Sequence, residues 1–261
     1  MSIVDGLILR IKRGETPPAR FLKRLLRSFF NPTLPRIPRV FLAPLRLAYE
    51  GHFLAISAFR WILTVCYRNP LFQARCASFG RRVSVEGLPF VSGHVRIYVG
   101  DDVKIGGKVA IFSGRFLDES KLIMKDRSGV GWNTQITVNR EVILEEDVRV
   151  SFDCRISDTD GHCREADRRA ADAAPDLKDI RPVRICKHAW IGNGTYIMKG
   201  VTIGEGAVIG ANSVVITNIP PYSLALGNPA EVLFRNYGLP STARRKTGES
   251  KDGDDASQRS V

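Results

Sequence analysis

Residues 190–215 read WIGNGTYIMKGVTIGEGAVIGANSVV. With the residues just before them they carry an aliphatic side chain at every sixth position: Ile185, Ile191, Ile197, Ile203, Ile209 and Val215. Glycine follows three of these, at Gly192, Gly204 and Gly210. A second run in its own register reads Val130, Ile136, Val142, Val148, Cys154, and a third reads Val85, Val91, Ile97, Val103, Val109. A period of six fits neither a helix nor a simple amphipathic strand, whose periods are about 3.6 and 2.0. It fits a parallel β-helix, in which short strands wind as the faces of a prism and send one aliphatic residue per face to the axis. Glycine, Asn and Asp gather where a prism must turn, as in Gly100-Asp-Asp102, Gly106-Gly107, Gly192-Asn-Gly194, Gly204-Glu-Gly206 and Gly210-Ala-Asn212. These residue types accept left-handed backbone at corners. The sequence therefore predicts β-helix over 83–156 and 183–217, broken once, over 157–182.

The charge is unevenly spread. Of a formal net +12, residues 1–82 hold 15 Lys+Arg against 3 Asp+Glu, and residues 83–261 hold 24 of each. The first third is also apolar, with Leu7-Ile-Leu9, Phe21-Leu22, Leu25-Leu26 and Phe29-Phe30 between basic residues. Pro17-Pro18 splits residues 1–30 into two short helices. Residues 31–38 form a proline-rich connector, and 39–68 read as an apolar helix divided by Arg60. No uncharged run approaches the ~20 residues a membrane span needs. Basic and bulky apolar residues together, with Trp61, suit a helix lying in a membrane interface. The competing reading is a helical cap on the first coil. Nucleic acid is not expected as a partner, because no recognition motif accompanies the charge.

Five cysteines without paired spacing (Cys66, Cys76, Cys154, Cys163, Cys186) and no secretory signal point to free thiols and a cytoplasmic location, peripheral at the inner face of the plasma membrane. Cys154 falls on the aliphatic register and reads as a small core residue. The domains are thus a basic, apolar helical extension (1–82), a β-helix domain (83–240) with an excursion loop (157–182), and a disordered tail (241–261) nearly without apolar residues. A short helix is expected near Glu231–Tyr237.

The segment Trp190–Val215, closed by Ile219-Pro-Pro-Tyr-Ser and Gly227-Asn-Pro-Ala, resembles the hexapeptide-repeat acyltransferases, and among them the maltose/galactoside and polysaccharide O-acetyltransferases. The resemblance covers about residues 83–236. It implies a mainly β, left-handed parallel β-helix, an exception to right-handed crossovers, assembled as a homotrimer. Acetyl-CoA, as acyl donor, and a sugar or glycan acceptor would bind between neighbouring subunits. Transfer of acetyl from a thioester to a hydroxyl needs a base, and histidine is the natural one near neutral pH. The resemblance sets it at His162, in Ser157-Asp-Thr-Asp-Gly-His162, with Asp158 or Asp160 to orient the ring. Backbone N–H groups at a turn would stabilise the oxyanion. Contacts with CoA would fall at Trp190, Asn193, Ala211, Ile216, Thr217 and Arg235. Two departures bear on the phosphates: Thr217 stands where the family often has Lys, and Glu231 where it often has Arg. Arg235, Lys199 or a neighbouring subunit would then supply positive charge. No metal is expected.

N-acyl transfer to an amino sugar or amino acid stays open, because His162 serves either nucleophile. So does a non-catalytic β-helix scaffold. A zinc enzyme on the same fold would need three convergent histidines, and His94, His162 and His188 are not spaced as one site. A fused nucleotidyltransferase is disfavoured, since 1–82 holds no Gly-rich phosphate loop.

Overall fold

The computed structural model describes residues 3–14, 16–30, 38–114, 116–237 and 239. The connector, apart from Pro38, and the tail 241–261 lie outside the described residues. The chain divides into two compact units, 1–57 and 58–261.

The first unit holds helices α1 (Ile3–Arg13) and α2 (Pro17–Phe30) and the first part of α3 (Arg39–Leu63). The break between α1 and α2 falls just before Pro17-Pro18, as proline at a helix start requires. Ala19 is buried, and the Lys23 ammonium donates to the Lys12 carbonyl, tying the two helices together.

The second unit is a three-sided left-handed parallel β-helix. Its first face carries Ser78–Phe79, Arg96–Val99, Lys121–Met124, Glu141–Leu144, Val183–Ile185 and Thr202–Ile203. The second carries Ser84–Val85, Lys104–Ile105, Gly129–Val130, Arg149–Val150, Trp190–Ile191 and Val208–Ile209. The third carries Phe90–Ser92, Ala110–Phe112, Gln135–Thr137, Arg155–Ser157, Tyr196–Ile197 and Val214–Val215. All six residues of the opening register, from Ile185 to Val215, are buried on the axis. Truncating one of them, such as Ile203→Ala, removes packing worth about 2–5 kcal/mol.

The glycines that follow these aliphatic residues sit where one corner stacks on the next. A Cβ on Gly204 would lie 2.3 Å from the Pro221 nitrogen, and one on Gly192 would lie 2.7 Å from the Ala211 nitrogen. Only glycine fits such contacts.

The coil is not uniform. In the upper coils, register partners are 18 residues apart, as in Trp190 with Val208. Lower down they are 20 apart, as in Ser84 with Lys104 and Gly129 with Arg149. The two extra residues lie on the first face, whose lower strands have four residues and two inward side chains, such as Val142 and Leu144. The tract is also broken twice, not once. Lys104 pairs with Gly129, 25 residues on, because residues 113–120 bulge out between the third and first faces. The larger excursion, between Ser157 and Val183, leaves from the same corner two coils higher.

Each end of the stack is covered by a separate segment. At the bottom, a π-helical turn (Thr64–Arg68) and α4 (Asn69–Arg75) bury Phe72 against Phe79. Edge carbonyls of the first two coils accept from side chains: Val85 from Thr64 Oγ1 at 3.2 Å, Val83 from Asn69 Nδ2 at 2.7 Å, and Val95 and Gly93 from Arg75, both at 3.1 Å. Residues 64–75 are therefore a cap. At the top, Ser223–Gly227 joins the second face and Ala230–Arg235 returns antiparallel to it. This corrects the short helix expected near Glu231–Tyr237. An open sheet edge recruits the segment, and Val232 and Phe234 favour a strand.

Candidate active site

The excursion begins on a buried carboxylate. Asp158 is fully buried and accepts from three successive backbone N–H groups of the turn below: Asn139 at 2.9 Å, Arg140 at 2.6 Å and Glu141 at 3.0 Å. Burial pushes its carboxyl up from the ordinary value, against the pull of these donors. Asn139 in turn accepts the Gly114 N–H on its Oδ1 at 2.6 Å and the Ser120 hydroxyl on its carbonyl at 2.9 Å. One corner turn thus holds the bases of both excursions.

The second tie is ionic. Lys199, only 6% exposed, donates its ammonium to Asp160. A buried lysine requires such a partner. Lys199, one of the sources of positive charge considered for CoA, directs its ammonium to Asp160 within the chain.

The excursion itself is ordered. Cys163 and Ile180 are buried, and the Cys163 thiol donates to the Ala174 carbonyl at 2.7 Å. Arg168 pairs with Asp176 and Arg164 with Asp179, each at 2.9 Å. Arg181 donates its N–H to the Asp158 carbonyl at 2.9 Å, returning the chain to the coil. A short helix α5 (Ala166–Ala170) lies between.

His162 stands between these anchors, exposed, with no hydrogen bond or ion pair among the described residues. Neither Asp158 nor Asp160 meets its ring. Both carboxylates instead hold the loop on which it is displayed.

The other expected residues lie on several corners. Asn193 and Ala211 stack between the second and third faces, where the Asn212 N–H donates to the Asn193 carbonyl at 2.7 Å. Trp190, 54% exposed, lies on the second face and donates from Nε1 to Ser151 Oγ at 3.2 Å. Ile216 and Thr217 are exposed between the third and first faces, the corner from which the His162 loop departs. Arg235 ends the closing hairpin opposite Ser223 and has no ion pair among the described residues. Glu231 is exposed on the same hairpin.

Two surface aromatics were not anticipated. Trp132 and Phe152 are exposed below Asn193 and Ala211 at equivalent positions of the same corner. Each is followed by a left-handed residue, Asn133 or Asp153, as Ala211 is followed by Asn212. Their 20-residue separation matches the lower coil length and was the available signal. His188 serves a corner between the first and second faces with φ +62°, its Nδ1 3.8 Å from Asp147. A surface cleft of about 450 Å³ is lined by Glu145, Cys186, Thr202, Asn218 and Pro220 among others, and none of the expected site residues borders it. Among the described residues no three His, Cys, Asp or Glu side chains converge to hold a metal.

Comparison with known proteins agrees with the fold. Residues 182–217 match the family model described as bacterial transferase hexapeptide (six repeats). Over 208 residues the chain is 28% identical to the probable acetyltransferase Rv3034c of Mycobacterium tuberculosis, covering 72% of this chain and 66% of that one. Over 61 residues it is 54% identical to SACOL2570 of Staphylococcus aureus, covering 23% and 31%. The chain therefore spans less than two thirds of either relative. Among solved structures it superimposes on AntD, an N-acyltransferase from Bacillus cereus in complex with dTDP and 3-hydroxybutyryl-CoA, with TM-score 0.53 and 15% identity, covering 68% of this chain and 92% of that one. The likeness to hexapeptide-repeat acyltransferases, read first from residues 190–215, is shown by these matches.

Proposed function

We propose that this protein is an acetyl-CoA-dependent O-acetyltransferase acting on a sugar hydroxyl of a polysaccharide or a lipid-linked glycan precursor. The observation that carries the reading is His162: an unpartnered, exposed imidazole on a loop held by the buried Asp158 carboxylate and by the pairing of Asp160 with buried Lys199. A histidine with no structural partner, on a loop so firmly held, fits a group that must be free to exchange a proton with substrate.

In this reading His162 takes the acceptor hydroxyl's proton as that oxygen attacks the thioester carbonyl, and then gives the proton to the departing thiolate. Acetyl passes from sulfur to oxygen, and His162 ends as it began. The corner column of Trp132, Phe152, Asn193 and Ala211, with Trp190 beside it, offers the apolar and peptide-like surface a pantetheine arm needs. Arg235, which has no ion pair among the described residues, is the cation assigned to the CoA phosphates in this reading. One chain spreads these residues over separate corners. A second copy beside it, in a homotrimer, would complete the site.

The test is acetyl transfer by the purified chain. His162→Ala should lower kcat by about 10²–10⁴-fold, and unchanged turnover would sink the reading. An alkali-stable product would move the assignment from ester to amide.

A further inference from the structure

The corner that displays His162 also gathers two arginines that the acyl-transfer steps leave without a role. Arg140 belongs to the turn beneath the excursion, and its backbone N–H donates to Asp158 Oδ2 at 2.6 Å. Arg181 closes the excursion, and its backbone N–H donates to the Asp158 carbonyl at 2.9 Å. They stand two residues before the register partners Val142 and Val183, so they hold equivalent positions on successive coils, about 4.8 Å apart. Both side chains are exposed, and neither has an ion pair among the described residues. Carboxylates are not scarce, since residues 157–182 contain seven Asp and Glu. Yet Asp176 goes to Arg168, Asp179 to Arg164 and Asp160 to Lys199. Arg140 gives one Nη2 donor to the Leu177 carbonyl at 3.2 Å. The Arg181 side chain lies against Gly200, where a Cβ would come 3.0 Å from its Nε and 3.1 Å from its Cζ. Two like charges held on one corner repel, and a bound anion relieves that repulsion.

We infer that Arg140 and Arg181 bind the phosphates of the acceptor, a sugar carried on a diphosphate. A guanidinium presents paired N–H donors that match phosphate oxygens, and two of them on neighbouring coils match two linked phosphates. The inference rests on the acyl-transfer reading of His162 and narrows its acceptor from glycans in general to a phosphorylated sugar. CoA carries phosphates too, but its whole pantetheine arm separates them from the sulfur that must meet His162. Arg181, by contrast, is tied to Asp158, four residues before His162. The acceptor hydroxyl and its phosphates would then lie on the same corner as the base.

The full chain is titrated with inorganic pyrophosphate by calorimetry, first alone and then saturated with CoA. Pyrophosphate should bind in both titrations. Arg181→Gln should weaken that binding about tenfold or more while leaving the affinity for CoA unchanged. Pyrophosphate that binds only in the absence of CoA, or a matching loss of CoA affinity in Arg181→Gln, would give the site to CoA's own phosphates and overturn the inference. Undiminished pyrophosphate binding by Arg181→Gln overturns it as well. If Arg181→Gln fails to fold, the same weakening is read from Arg140→Gln, and unchanged binding there overturns the inference. A wild-type chain that binds CoA and ignores pyrophosphate overturns this inference alone. One that binds no CoA overturns the acyl-transfer reading, and this inference with it.

Discussion

Two corners of the β-helix carry opposite kinds of information. Between the first and second faces the chain turns the same way in every coil, through Arg82, Asp102, Arg127, Asp147, His188, Gly206 and Tyr222, all with φ between 52° and 62°. Exposed pairs stack along it, Arg82 with Asp102 at 2.5 Å and Arg127 with Asp147 at 2.8 Å. Nothing is inserted there. The corner between the third and first faces carries both excursions, the buried Asp158 and Lys199, and the exposed Asp160 that pairs with Lys199. The regular corner is sustained by backbone conformation. The irregular corner is sustained by buried polar side chains bonding across coils, and it displays His162.

Substitutions on the two corners should therefore differ in kind. The largest effect belongs to His162→Ala, which should remove nearly all turnover without moving the melting temperature; a large loss of stability would show that His162 is part of the loop's structure. Asp158→Ala comes next. It strands three N–H groups and should cost about 3–5 kcal/mol, read from denaturant unfolding. A cost as small as that of an exposed corner variant would erase the contrast between the corners.

Lys199→Met should act through His162. It should lower kcat about tenfold, leave KM for acetyl-CoA unchanged and be partly rescued by Lys199→Arg. A rise in KM with constant kcat would instead make Lys199 a CoA contact. The smallest effect belongs to Arg127→Ala on the regular corner. Its hydrogen bonds to Asp147, and its charge, hold that carboxyl below the ordinary value. A lowered carboxyl adds stability above its unfolded pKa of about 3.9 and loses it as pH falls through the folded value. The gap between wild type and variant should thus be small at pH 7 and close in acid, followed by melting as pH is lowered. A gap that widens in acid would contradict the pairing.

The upper coils were legible because three six-residue faces make an 18-residue turn. The lower coils blurred because two inward residues per first-face strand slide the register by two at each pass. Val130, Ile136 and Val142 lie on strands, but Val148 and Cys154 fall at strand ends and corners while Val150 and Ile156 take the strand positions. Cys154 is nevertheless buried, as its small size on an aliphatic register implied. The bulge at 113–120 was hidden for the same reason, since a slipping register conceals an insertion of five. His162 was legible because the period fails around it. The anchoring by Asp158 was not, because backbone N–H groups leave no trace in residue identity.

The capped ends of the stack have one further consequence. Side chains from Thr64, Asn69 and Arg75 occupy edge carbonyls at one end, and the Ala230–Arg235 hairpin pairs along the second face at the other, where another chain could have continued the ladder. Those edges are thereby closed to a ladder continued end to end.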